Sequence, residues 1–214
     1  MSLKVLIVDD HEVARVGISY LLQAHGGFSV DGSVASVSEA TALLETRQFD
    51  VVLLDVRMPD EDGLTMLESI REMHDELPVI ILSAYDNPTY IARAAAIGAD
   101  DYVLKNGSSK VMCESVSRAV KGDGPAPESR LAKIKRMMRE LVEVSTLPPD
   151  FPLTSRAAQV LRHLALGLSN KEIARSLTIS VETVKEHVQN ILRKINANDR
   201  TDAAVRAVKV GILD

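Results

Sequence analysis

Residues 51–64 read VVLLDVRMPDEDGL. Four apolar residues running into Asp55 describe a strand covered on both faces that ends on a carboxylate, and Pro59 turns the chain just beyond it. Residues 5–10, VLIVDD, repeat the arrangement and end on Asp9 and Asp10. Working outward from these two runs, short β-branched stretches at 5–8, 30–34, 51–54, 79–82 and 102–104 alternate with segments of helical period at 12–24, 38–46, 64–73, 88–97 and 109–120. That alternation is the mark of a parallel sheet with crossover helices, and the nearly all-apolar first, third and fourth runs belong at its centre. Gly98 suits a left-handed helix stop. The expectation is a (βα)5 unit over residues 1–120.

The chain has 214 residues, about one and a half times the usual domain length, so two units are expected. Hydrophobic residues at 46% and charged residues at 26% exclude disorder as the main state. Cys113 is the only cysteine, which excludes a disulfide framework or a multi-cysteine metal site within one chain. With no signal-like start and no apolar run of membrane length, a cytoplasmic location is the expectation. The net charge of −5 hides an asymmetry. Residues 1–120 carry 9 Lys+Arg against 19 Asp+Glu, a net of −10, whereas residues 153–214 carry 10 against 6, a net of +4. Only the rear part is suited to a polyanion.

Residues 121–152 form a linker, opened by KGDGPAPESR and closed by STLPPDFP. Between these, RLAKIKRMMRELVEV places Leu131, Ile134, Met138, Leu141 and Val142 at helical spacing. A helix there is either a docking or dimerisation element or a connector lying on one of the two units. Residues 153–214 contain no strand alternation and read as four short helices, at 155–166, 171–176, 181–195 and 201–209. Thr178, Ile179 and Ser180 separate the second from the third, the order of a helix-turn-helix. In the third, Val184, Val188, Ile191 and Ile195 form a buried stripe, while Thr183, Lys185, Glu186 and Gln189 face outward. Such donors suit phosphates and base edges, although an ordinary surface helix has the same spacing.

A parallel sheet brings Asp9, Asp10 and Asp55 to one carboxyl-terminal edge, where open α/β sheets bind ligands. Crowded carboxylates repel, and a hard divalent cation, Mg2+ being the natural one, relieves the repulsion. Ser83 and Lys105 end the fourth and fifth strands and reach the same edge. An aspartate beside a divalent cation and an ammonium can attack a phosphoryl donor, and Asp55 is the best placed nucleophile. Each residue alone is also explained as a solvated strand end; their convergence favours the functional reading. Arg57 and Tyr85, two residues beyond Asp55 and Ser83, sit where side chains can shield or admit water.

VLIVDDHEVARVGI, VVLLDVRMPDEDGL, VIILSAY and GADDYVLK together resemble the receiver domain of bacterial two-component response regulators, a flavodoxin-like fold. The resemblance implies that Asp55 is the phosphoacceptor and that Mg2+ is held by Asp10 directly, by Asp9 through water, by Asp55 and by the backbone carbonyl of Arg57. It further implies that Ser83 and Lys105 contact the phosphoryl oxygens and that Ser83 and Tyr102 form the switch. Residues 153–214, with NKEIA and ETVKEHVQNILRKI, resemble the LuxR-type helix-turn-helix domain, so the whole chain is similar to NarL/FixJ-type regulators. By that resemblance Asn170, Thr183, Lys185 and Gln189 face DNA, with Lys171 near its backbone. Glu186 is a departure that phosphate repels.

The fold class expected is therefore α/β plus all-α: a receiver at 1–120, a linker at 121–152 and a four-helix DNA-binding domain at 153–214. The function expected is a phosphorylation-controlled transcription regulator, partnered by a sensor histidine kinase, double-stranded DNA and a second copy of itself. The alternative is a phosphorylation-independent DNA-binding regulator that uses its receiver only to oligomerise. An enzyme acting on an external substrate is disfavoured. Arg57 stands where aspartyl phosphatases carry a second carboxylate, and His11, His25, His74, His163 and His187 make no metal-binding helix motif.

Overall fold

The computed structural model describes residues 2–59, 61–143, 145 and 147–213. The outer limits of the two expected domains, Met1 and Asp214, and Val144 in the expected linker helix lie outside the described residues. The chain divides into two compact units, Met1–Asn87 with Ile97–Ala132 and Pro88–Ala96 with Lys133–Asp214.

The first unit holds five parallel strands in the order β2-β1-β3-β4-β5, namely β1 (Leu3–Val8), β2 (Phe28–Val34), β3 (Val51–Asp55), β4 (Val79–Ser83) and β5 (Asp101–Leu104). The three strands read as most apolar, β1, β3 and β4, are the three interior ones, and β3 and β4 are buried at every residue. Edge strand β2 alternates more and is largely half-exposed. The crossovers within this unit are α1 (Glu12–His25), α2 (Val37–Thr46) and α3 (Gly63–Met73), and α5 (Ser109–Lys121) follows β5; α4 (Pro88–Ile97) lies between β4 and β5 in the chain, and all of it but Ile97 falls in the second unit. Side chains of Ser36, Asp62 and Ser108 cap α2, α3 and α5 by accepting backbone N–H groups of the first turn. Gly98 has φ +110°, the left-handed stop its position suggested. Among the described residues no helix is long and apolar enough to cross a membrane.

In the second unit, α6 (Arg130–Arg139) begins just before the unit boundary and is followed by α7 (Ser155–Ala165), α8 (Asn170–Leu177), α9 (Val181–Lys194) and α10 (Arg200–Lys209). Ser169 and Glu172 form a reciprocal capping box at the start of α8. Thr178 then adopts φ +53° to close that helix, and Ile179 N donates back to the Ala174 carbonyl at 3.0 Å. A β-branched residue in the left-handed region is held there at some energetic cost, which the flanking helices must sustain. The buried stripe of α9 is Val184, Ile191 and Ile195, with Val188 half-buried.

The linker helix is shorter than its apolar spacing suggests. It stops at Arg139, leaving Leu141 70% exposed while Val142 is 6% exposed. The cause lies in α7. Arg162, 7% exposed, donates to the carbonyls of Met137 (2.7 Å), Glu140 (2.9 Å) and Ile212 (3.0 Å), and Gln159 Nε2 donates to Met138 O at 3.2 Å. These side chains take the carbonyls that a further turn of helix would have used. The end of the connector is thus bound to α7.

Arg162→Ala leaves three carbonyls without donors and is expected to cost about 1–3 kcal/mol. Chemical denaturation followed by helix signal measures it, and Arg162→Lys should recover only part because an ammonium lacks the guanidinium fork.

Candidate functional site

Strand order decides which chain ends meet. β1, β3, β4 and β5 are consecutive neighbours with parallel registers, pairing Val8 with Leu54, Asp55 with Leu82 and Ser83 with Leu104. Their carboxyl ends therefore form one edge at the point where the order reverses between β1 and β3. Asp9, Asp10, Asp55, Ser83 and Lys105 all sit on that edge. Gly63 closes it from below: its N–H donates to Val56 O at 2.9 Å, and a Cβ there would overlap the Asp55 carbonyl oxygen. No other residue admits so close an approach of α3 to the end of β3.

Lys105 Nζ lies 2.7 Å from Asp9 Oδ2 and 2.9 Å from Asp55 Oδ2. Asp9 is fully buried and Asp55 is 5% exposed. Burial raises the Asp55 pKa, Lys105 opposes that rise, and the charge on Asp9 adds to it. For Lys105, burial works against the charge but two carboxylates outweigh it, so its pKa is raised. One ammonium shared between two anions gains twice, whereas each anion receives a shared cation and a repelling neighbour. Asp9 is further held by its Oδ1 accepting His11 N–H at 3.0 Å and its carbonyl accepting Arg15 Nη1 at 2.6 Å.

Ser83, 1% exposed, accepts the Tyr85 N–H on Oγ at 3.0 Å. Tyr102, 2% exposed, donates its hydroxyl to the Tyr85 carbonyl at 2.8 Å. Arg57 lies over the Tyr85 ring, 5.5 Å from its centroid. The sequence-predicted residues of this unit thus come together, and Tyr85 joins them through both its peptide groups and its ring. The residue that sequence reasoning passed over is His11, whose Nδ1 lies 2.8 Å from Asp10 Oδ1. Its place directly after Asp10 was the available signal.

The site fits a divalent cation. Ligand-capable atoms of Asp9, Asp10, His11 and Asp55 lie within 4.8 Å of one another, the ~4–5 Å that separates opposite ligands of one such ion. Asp9 Oδ2 and Asp10 Oδ1 are buried without a hydrogen-bond donor in suitable geometry, although Lys105 and His11 approach them. Oxygens in that condition favour a cation.

In the second unit, Lys185 and Gln189 are exposed on α9 and Thr183 is half-buried. Lys185 Nζ meets Glu182 at 2.7 Å on the solvent face, and Thr183 shares hydrogen bonds with Ser180 at the start of the helix. At the opening of α8, Lys171 is exposed, while Asn170 is half-buried and accepts from Arg200 at 3.3 Å. These five residues occupy the first turns of α8 and the outer face of α9.

The raised pKa of Asp55 has a consequence for stability. A carboxylate whose folded pKa lies above its unfolded value supports the fold fully only below the unfolded pKa, and that support is lost as pH rises through the folded one. In metal-free buffer at neutral pH, Asp55→Asn should therefore raise the melting temperature of the protein. The gain should vanish in acid below the ordinary carboxylate range. A calorimetric scan at the two pH values checks the sign.

Residues 5–117 match the response regulator receiver domain family, and residues 151–207 match the bacterial regulatory proteins of the luxR family. The chain is 34% identical over 213 residues to the response regulator protein VraR of Staphylococcus aureus, covering 100% of both. A solved structure of ChrA, a response regulator of a heme-sensing two-component system, is 29% identical, with 98% of each chain covered and a TM-score of 0.53. RcsB of Salmonella typhimurium is similar in fold, with 22% identity, 97% of this chain and 98% of that chain covered and a TM-score of 0.59. Full-length coverage at such identity, on top of a carboxylate edge built on a 2-1-3-4-5 sheet, places the chain in one family: it is a response regulator of the NarL/FixJ type, a receiver domain followed by a LuxR-type helix-turn-helix domain.

Proposed function

We propose that this response regulator is a cytoplasmic transcription factor switched by phosphorylation of Asp55, the phosphoryl group coming from a sensor histidine kinase. In this reading residues 1–120 are the receiver, 121–152 the connector and 153–214 the DNA-binding domain. The observation that carries it is the shared ammonium: Lys105 already bridges Asp9 and Asp55.

Asp10 would hold Mg2+ directly and Asp9 through water, with Asp55 and the Arg57 carbonyl as further ligands, and the ion would supply neutralisation of charge on the transferring phosphoryl group. A carboxylate oxygen of Asp55, held for the approach by Lys105, attacks phosphorus as the P–N bond to the phosphorylated histidine of the kinase breaks and that imidazole leaves. Once the phosphoryl group is on Asp55, Lys105 stays with it and Ser83 turns its hydroxyl toward a phosphoryl oxygen. That turn withdraws the acceptor from the Tyr85 N–H, and Tyr102 is bonded to the carbonyl of the same residue. Ser83 and Tyr102 are therefore linked through one residue, which gives the switch a physical route to the surface. Arg57 and Tyr85, stacked above the edge, control the approach of water to the acyl phosphate. The domain promotes only its own phosphorylation and hydrolysis.

Asn170, Lys171, Thr183, Lys185 and Gln189 meet DNA, and phosphorylation favours a homodimer on paired half-sites. RcsB has been solved in complex with DNA and as dimers bound to DNA, which supports the analogy.

Incubation with a small phosphodonor and Mg2+ should add a hydroxylamine-labile phosphoryl mass that Asp55→Asn abolishes. Beryllofluoride should change assembly and tighten DNA binding. Absence of both effects with DNA binding intact would leave the regulator in which the receiver only oligomerises. Replacing Arg57 and Tyr85 together by alanine should change the dephosphorylation rate several-fold, read from loss of label, and an unchanged rate removes their assigned role. Lys185→Ala should weaken DNA binding about equally for all sequences and lower the salt slope by about 1. It should barely alter stability, because an exposed pair such as Lys185–Glu182 is worth ~0–1 kcal/mol.

A further inference from the structure

His11 occupies the N-cap position of α1, yet its side chain takes no hydrogen bond from the first turn. A capping residue ordinarily spends its side chain on those N–H groups. Here the imidazole is turned back onto the carboxylates that end β1, with Nδ1 2.8 Å from Asp10 Oδ1 and 3.5 Å from Asp9 Oδ1. Asp10 Oδ1 and the fully buried Asp9 Oδ2 have no hydrogen-bond donor in suitable geometry. Lys105 Nζ stands 2.7 Å from Asp9 Oδ2, whereas the only group near Asp10 Oδ1 among these is the His11 ring nitrogen, whose 2.8 Å spacing calls for a proton or a metal ion between the two atoms. For a six-coordinate ion with ligands at ~2.0–2.1 Å, adjacent donor atoms stand ~2.9 Å apart. The His11–Asp10 spacing matches that separation, and the four candidate donors span no more than 4.8 Å.

We infer that His11 Nδ1 is a further ligand of the divalent cation held by Asp10, Asp55 and the Arg57 carbonyl with Asp9 behind a water, making this a mixed nitrogen and oxygen site. Mg2+ takes oxygen and retains water in preference to imidazole, whereas Co2+ and Zn2+ accept imidazole readily. The chain therefore binds a borderline first-row ion more tightly than an all-oxygen site would. The inference rests on the cation-dependent reading of the edge given above, and extends it to the choice of ion.

The test uses the untagged full-length chain. With Mn2+ as a paramagnetic probe, pulsed electron paramagnetic resonance should show a directly coordinated imidazole nitrogen. That coupling should disappear in His11→Ala and also in His11→Gln, which keeps a hydrogen-bonding side chain without an imidazole. Competition titrations should show Co2+ affinity falling about tenfold or more in His11→Ala, while Mg2+ affinity stays within about twofold. The exposed, non-capping side chain makes loss of fold unexpected, and an unchanged melting temperature verifies it. Bound Mn2+ without nitrogen coupling, or equal losses for Co2+ and Mg2+, overturns the role of His11 and leaves the phosphoacceptor reading standing. Failure of every divalent ion to bind the wild-type chain overturns both.

Discussion

One ammonium shared between two buried carboxylates governs the chemistry of the sheet edge. Asp9 and Asp55 face each other from neighbouring strands, and Lys105 lies within 3 Å of both. A single positive charge cannot balance two buried aspartates together with Asp10, so the edge keeps a net negative charge and an affinity for cations. Burial, with the charge on Asp9 adding to it, presses the Asp55 pKa upward, while the two carboxylates outweigh burial at Lys105 and hold it protonated. The crowding of carboxylates suits the edge to a divalent cation.

The second constraint is steric. Gly63 lies against the Asp55 carbonyl, and the Asp62 side chain caps the helix that starts there. These contacts fix the turn after β3, so Asp55 is presented from a rigid strand end rather than from a loose loop. On the other side of the edge, the segment after β4 is tied down twice, by Ser83 on its N–H and by Tyr102 on its carbonyl. A hydroxyl that leaves the first bond for a new acceptor alters the surroundings of the second. This is how a local charge change can select between two packings.

In the second unit the corresponding economy is in backbone carbonyls. Arg162 and Gln159 face away from the outer surface of the domain and cap the linker helix, so the connector ends where their donors are exhausted. Thr178 accepts a left-handed conformation to turn α8 into α9. Both devices leave the first turns of α8 and the outer face of α9 available for recognition.

Much of this was written in the sequence. Runs such as VVLL and VIIL can only be strands covered on both faces, because an exposed face would need polar alternation, and their terminal Asp and Ser residues follow directly. The period of α9 likewise fixed its buried stripe, since a helix has one apolar face to hide. Other features depended on groups distant in sequence. The end of the linker helix was not legible because Leu141 and Val142 continue the apolar spacing, and only Arg162 in another helix removes the carbonyls that would have extended it. The place of His11 after two aspartates put it near the edge, but only the fold shows its ring turned onto Asp10. Local pattern determines which residues are buried and where elements lie, because it reports burial and period. Partners across the fold are decided only when tertiary structure brings donors and acceptors within reach.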